Sequence, residues 1–140
     1  VAYMAGNDAA LIERIHTTAA AAPGGHYAQA VSYQGLLYIS GQLPVRADGS
    51  PSADQSFDVQ ASIALDNLLA ILTQAGCQPD DLLKVTLYIV GIEHWPELDK
   101  RYARCLGEHR PARAVVPVPA LHHGYLIEVD AIARHPGPCS

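Results

Sequence analysis

Near the end of an otherwise aliphatic chain, the stretch RPARAVVPVPALHHGYLIEVDAIA (residues 110–133) carries one arginine, Arg113, and one glutamate, Glu128, within strand-like segments. Side chains alternate along an extended strand. YLIEVDAIA therefore places Tyr125, Ile127, Val129 and Ala131 on one face and Leu126, Glu128, Asp130 and Ile132 on the other. Glu128 stands between aliphatic neighbours, where an ionised carboxylate is costly unless it is paired, hydrated in a pocket or protonated. Such a carboxyl group has a raised pKa and can exchange a proton near neutral pH. The Arg113 guanidinium offers two parallel donors, which match a carboxylate. The two residues could converge on a third object such as a ligand or water, or simply pair with each other. If the two segments form a hairpin centred near His122, Arg113 lies opposite residues 130–132, with Glu128 about 7–13 Å further along the sheet. A one-residue change of register decides whether they share a face. The residues by themselves leave a ligand site and a structural ion pair both open.

Other side chains with reactive chemistry have plainer readings. His122 and His123 could touch a substrate or a metal, but before Gly124 they read as solvated turn residues. His26, beside Tyr27, could line a cleft or have no role there. Trp95 reads as an anchor at a helix start. Cys77, Cys105 and Cys139 are odd in number and share no spacing, so neither a disulfide framework nor a zinc site is expected. Cys77 reads as packing or surface and Cys105 as part of an apolar helical stripe, neither of them catalytic.

The elements that must position these residues follow from periodicity. AQAVSY (28–33) and LLYISGQL (36–43) are β-prone runs split by Gln34-Gly35, the makings of a tight hairpin. PVRADGSPSADQS has loop chemistry and ends on Ser56 as an N-cap. In FDVQASIALDNLLAILTQAG, Ala61, Leu65, Leu68, Leu72 and Ala75 recur at helical steps while Asp58, Asp66, Asn67 and Gln74 occupy other faces, and Gly76 ends the helix. LLKVTLYIVG (82–91) reads as a buried strand. HWPELDKRYARCLGEH reads as a second helix with Pro96 in its first turn and a stripe of Trp95, Leu98, Tyr102 and Cys105. AVVPVPAL and YLIEVDAIA close the chain as two strands joined around His122–Gly124, and Pro117 and Pro119 confine the first to an edge or a bulge. The order β-β-α-β-α-β-β predicts an α+β mixed sheet with both helices on one face. An edge strand is also where a subunit contact could form.

Composition narrows the function classes. The 140 residues, 49% hydrophobic and 16% charged, suit one globular domain over residues 1–140 without disordered tails. Residues 1–14 read as an N-terminal lead, with Val1–Tyr3, ahead of Met4, reading as foreign to the protein. The net charge of −5 opposes phosphate backbones, so no nucleic-acid partner is expected. The first 23 residues lack a basic start and an unbroken apolar run, so neither a signal peptide nor a membrane span is expected, and a reducing cytoplasm fits the cysteines.

From about Ile15 to Ala133 the chain resembles the RidA (YjgF/YER057c/UK114) family. It carries in order APGGHYAQAV, LYISGQLP, ALDNLLAIL, VTLYI and RPARAVVPVPAL…YLIEVDAIA. The resemblance implies a chorismate mutase-like fold assembled as a homotrimer with equivalent clefts between subunits. It also implies deamination of 2-imino or 2-enamino acids to 2-keto acids and ammonia, with no metal or organic cofactor. By resemblance Arg113, in Pro-Ala-Arg, clamps the substrate carboxylate, Glu128 holds and activates the attacking water, and Tyr27 lies near the ligand. Ser40 and Gly41 fall in the Ser-Gly-Gln segment bordering the cleft. Three positions depart from the family pattern: Val115 replaces a frequent cysteine, Asp99 a frequent asparagine, and Leu121-His122 a Leu-Pro. Val115 and Asp99 are expected at the substrate, and Asp99, if it points there, would disfavour some anionic substrates. The departures also motivate a second reading, a non-catalytic module that binds a small carboxylate or presents the assembly to a partner protein. A ribonuclease reading is the weakest, because the composition is acidic.

Overall fold

Gln34 and Gly35 both adopt left-handed backbone angles, with φ of 49° and 81°, as expected of a two-residue turn whose twist matches that of its flanking strands. The computed structural model describes residues 11–136. Val1–Tyr3 and Cys139 lie outside that range. The turn joins β2 (Ala30–Tyr33) to β3 (Leu36–Gln42). A short strand that the sequence did not announce, β1 (Glu13–Ile15), adds to the outer side of β2.

The loop after β3 ends at Ser56, whose hydroxyl accepts the Val59 N–H at 3.3 Å and starts α1 (Phe57–Gln74). At the other end Gly76, at φ 79°, lets its own N–H reach the Thr73 carbonyl (3.0 Å) and the Cys77 N–H reach the Leu72 carbonyl (2.9 Å). Those two bonds satisfy carbonyls that the helix leaves open. Ala61, Leu65, Leu68 and Leu72 are buried as spaced, but so is Asn67, which was expected on another face. Its amide donates to the carbonyls of Leu43 and Val45 (3.3 and 2.8 Å), and its oxygen accepts the Ala21 N–H (3.4 Å). A helical asparagine reads as solvent-facing until loops supply partners for its donors and acceptor.

β4 (Leu82–Ile89) leads through α2 (Trp95–Leu106) to β5 (Ala112–Pro117). A helical crossover returns the chain parallel, and β5 pairs β4 with Val85 beside Arg113 and Leu87 beside Val115. The expected hairpin of the last two strands does not form. β6 (Ile127–Arg134) instead lies between β3 and β4, antiparallel to both, in the order β1-β2-β3-β6-β4-β5. The physical reason is coverage: Ile127, Val129, Ala131 and Ala133 are all at most 3% exposed and need the middle of the sheet under α1. β5, whose Pro117 and following Pro119 cannot donate, takes the edge.

Both helices cover one face, and α2 is tied to α1 by the Arg101–Asp58 ion pair. Leu98, Tyr102 and Leu106 form the buried stripe of α2, while Cys105 is only half-buried. Trp95 is 40% exposed and is not the expected anchor. That place is taken by His94, whose ring stacks on Phe57 at 4.3 Å. Each fully buried aliphatic side chain of this layer contributes about 1.5–3 kcal/mol. The opposite face has no helix: Tyr38 is 42% exposed there, and Thr86, Tyr88, Glu128, Asp130 and Ile132 are half-buried.

Candidate active site

Two bonds bend β3 toward its end. The Ser40 hydroxyl donates to the Ala28 carbonyl (2.7 Å) and its N–H donates to that of Gln29 (3.0 Å), where the pairing with β6 shifts register between Ile39 and Gln42. The buried Gln29 side chain pins the neighbouring segment, accepting the Thr17 N–H (2.7 Å) and donating to the carbonyls of Thr17 and Ala21 (3.0 and 2.9 Å). Between this segment and the end of β6 lies a cleft of ≈ 460 Å³, walled by Tyr27, Ser40, Gly41, His122, His123 and Glu128. Tyr27 is half exposed, and its hydroxyl accepts the Gly24 N–H at 3.1 Å. A Cβ at position 41 would stand 2.6 Å from Glu128 Oε2, so any side chain there would displace the carboxyl group from its place.

Glu128 thus sits with its carboxyl group against bare backbone. Burial pushes its pKa above the ordinary 4.5, the nearby Asp130 pushes it further, and His122 pulls it partly back. Asp130 shares the Glu128 face, as the alternation required, and accepts the Tyr88 hydroxyl at 3.1 Å. His122 and His123 are exposed, as turn residues should be, yet they stand in the cleft wall. His123 at φ 60° and Gly124 at φ 77° turn the loop that carries these side chains. The glycine is the sequence signal that could have suggested this. His26 is exposed and outside the wall.

Arg113 is elsewhere. Paired with Val85, it points into the helix layer, where its Nη1 donates to Asp99 Oδ1 at 2.7 Å. Its guanidinium lies 5.0 Å from the centre of the Tyr102 ring and 5.8 Å from that of Trp95, within cation–π range. Val115, two residues on, shares this face and packs against the core. Burial pushes the Tyr102 phenol up to about 12 against the pull of Arg113, and its hydroxyl is buried without a protein partner. Glu128 pairs with Tyr88, an odd number of residues from Val85, so it projects from the opposite face of the sheet.

Within one chain these residues therefore fall into two separate groups. Tyr27, Ser40, Gly41 and Glu128 come together in the cleft, and Arg113, Asp99 and Val115 come together beside α2. The hairpin geometry in which Arg113 and Glu128 face each other within one chain does not occur. Among the described residues, no group of three or more His, Cys, Asp or Glu side chains is arranged to hold a metal ion, and no helix is long and apolar enough to cross a membrane.

The chain matches the model of a protein family described as Endoribonuclease L-PSP over residues 17–135. It is 34% identical over 125 residues to the human 2-iminobutanoate/2-iminopropanoate deaminase, covering 88% of this chain and 90% of that protein. Among solved structures it resembles a protein of the Rid family from Yersinia pestis, at 34% identity and a TM-score of 0.84, covering 88% and 98% of the two chains. It also resembles E. coli TdcF, solved with bound serine, at 30% identity and a TM-score of 0.81, covering 87% and 98%.

Proposed function

Because this chain belongs to the Endoribonuclease L-PSP family, which takes in the Rid proteins, we propose that it is a deaminase hydrolysing 2-imino and 2-enamino acids to 2-keto acids and ammonia. The observation that carries the reading is the Glu128 carboxyl group, half-buried with a raised pKa at the wall of the cleft beside Gly41. Kinship with an imine deaminase supports it.

The imine carbon of the substrate is already electrophilic, so the protein must position a water, manage its proton and hold the carboxylate. Glu128 takes a proton from water as the water oxygen bonds to the imine carbon and the C=N electron pair moves to nitrogen. With the imine nitrogen protonated at the start, this step leaves a neutral carbinolamine. The protonated Glu128 gives its proton to the amine nitrogen and then takes the hydroxyl proton as the O–H electron pair forms C=O and the C–N bond breaks. Ammonia leaves the keto acid and Glu128 passes the last proton to solvent. Arg113 holds the substrate carboxylate. No cofactor enters this sequence.

The site is completed between copies. Arg113 and Glu128 lie on opposite faces of one sheet, so a cleft containing both takes Arg113 from one subunit and Glu128 from another, as in a homotrimer. The bare sheet face with its exposed Tyr38 and the edge strand β5 are surfaces suited to that assembly. Cys77 and Cys105 are free thiols, which suits the cytoplasm.

The direct test is keto-acid release from 2-iminopropanoate generated in situ. A rate above that of buffer and proportional to protein is expected, and a rate equal to buffer contradicts the proposal. Gly41→Ala should then lower kcat about 10–100-fold, because the new methyl group displaces the Glu128 carboxyl. Steady-state kinetics beside a thermal melt separates this from unfolding.

A second reading has its own observation: Asp99 occupies one arm of Arg113, which would suit a carboxylate-binding module without turnover. Saturable binding of 2-ketobutyrate with no imine hydrolysis would favour it. The ribonuclease activity in the family description fits poorly with a chain of net charge −5.

A further inference from the structure

Asp99 stands where a substrate-binding arginine should be free. It is bonded to Arg113 through Oδ1 at 2.7 Å, and its side chain is 47% exposed. Its helical neighbours three and four residues away, Trp95, Pro96, Tyr102 and Ala103, carry no charge. Arg113 is therefore the counter-charge that both Asp99 and an incoming carboxylate must share. A guanidinium has five N–H donors and can serve two carboxylates from different edges. The Arg113 guanidinium lies near the rings of Tyr102 and Trp95, the latter 40% exposed, and Val115 shares the Arg113 face.

Resting on the deaminase reading, we propose that Asp99 is a specificity-determining residue that restricts the site to 2-imino monocarboxylates with uncharged side chains and rejects dicarboxylates. The first substrate carboxylate uses the Arg113 donors that Asp99 leaves open, so a monoanion meets a neutral pair. A second carboxylate finds no unmatched positive charge and is repelled by Asp99. Rejection by a like charge discriminates more sharply than any apolar contact at the same position.

The test compares kcat/KM for imines generated in situ from alanine or leucine with those from glutamate or aspartate. The wild type is expected to favour the monocarboxylates by about tenfold or more, a ratio that Asp99→Asn reduces about tenfold and Asp99→Glu preserves. Asparagine keeps a hydrogen-bond acceptor for Arg113, and glutamate keeps the charge, so together they separate charge from structure. A ratio unchanged in Asp99→Asn, with the wild type still active on the alanine-derived imine, overturns this inference and leaves the deaminase reading standing. Absence of wild-type turnover on every imine overturns both.

Discussion

Under the proposed mechanism, Glu128→Gln is expected to lower kcat by about 10²–10⁴-fold, the usual contribution of a positioned general base, while KM changes little because the substrate carboxylate is assigned to Arg113. Glutamine keeps the shape of the side chain and its fit beside Gly41, so the loss is chemical rather than structural. The pH profile gives a second signature. The Glu128 carboxyl group must be ionised to accept a proton, and burial raises its pKa above 4.5. Activity is therefore present above that raised value and lost as pH falls through it, so the acid limb of the wild-type profile should lie above the ordinary glutamate range. In Glu128→Gln the limb should vanish with the activity. A variant retaining wild-type kcat, or a wild-type limb at or below 4.5, would show that the carboxyl group does not act on the proton.

Arg113→Ala should lower kcat/KM by about 10²–10³-fold, from loss of a charge-assisted, two-donor contact with the substrate carboxylate. Most of this should appear in KM, the reverse of the Glu128 pattern. Arg113→Lys should recover little, because an ammonium is a point charge without the planar pair of donors and cannot stack between Tyr102 and Trp95 in the same way. Stability should change far less. The Arg113–Asp99 pair is partly exposed on both sides, and pairs of that kind contribute about 0–1 kcal/mol. Substrate titrations beside denaturant unfolding check both halves, and an unchanged KM with large destabilisation would make Arg113 a structural residue.

The parts of the fold legible in the sequence were those written in local chemistry. The Gln34-Gly35 turn, the Ser56 cap, the Gly76 stop and the alternation around Glu128 each depend on a few adjacent residues, and each stands as read. What the sequence could not carry was the choice of sheet neighbours. The last two strands are adjacent in the chain and read as a hairpin, but the crossover through α2 makes β5 parallel to β4, and the apolar face of β6 draws it to the middle. That exchange moved Arg113 to the far side of the sheet from Glu128. Asn67 escapes a local reading for a related reason, since a polar residue reads as solvated until distant loops give it partners. In the sequence Asp99 is visible only as a departure from a family pattern, because its contact with Arg113 spans 14 residues.

The central claim is that a working site draws Arg113 from one copy and Glu128 from the next. The most direct measurement co-expresses the two impaired variants, Arg113→Ala and Glu128→Gln, under different tags and assays the assemblies purified through both tags at a substrate concentration well below KM. A shared site predicts that activity returns to roughly a third of wild type in mixed trimers, because one of the three sites in each takes both its arginine and its glutamate from intact partners in a closed symmetric assembly. Mixed assemblies that form and stay inactive, or an active wild type that is monomeric in solution, would contradict the account.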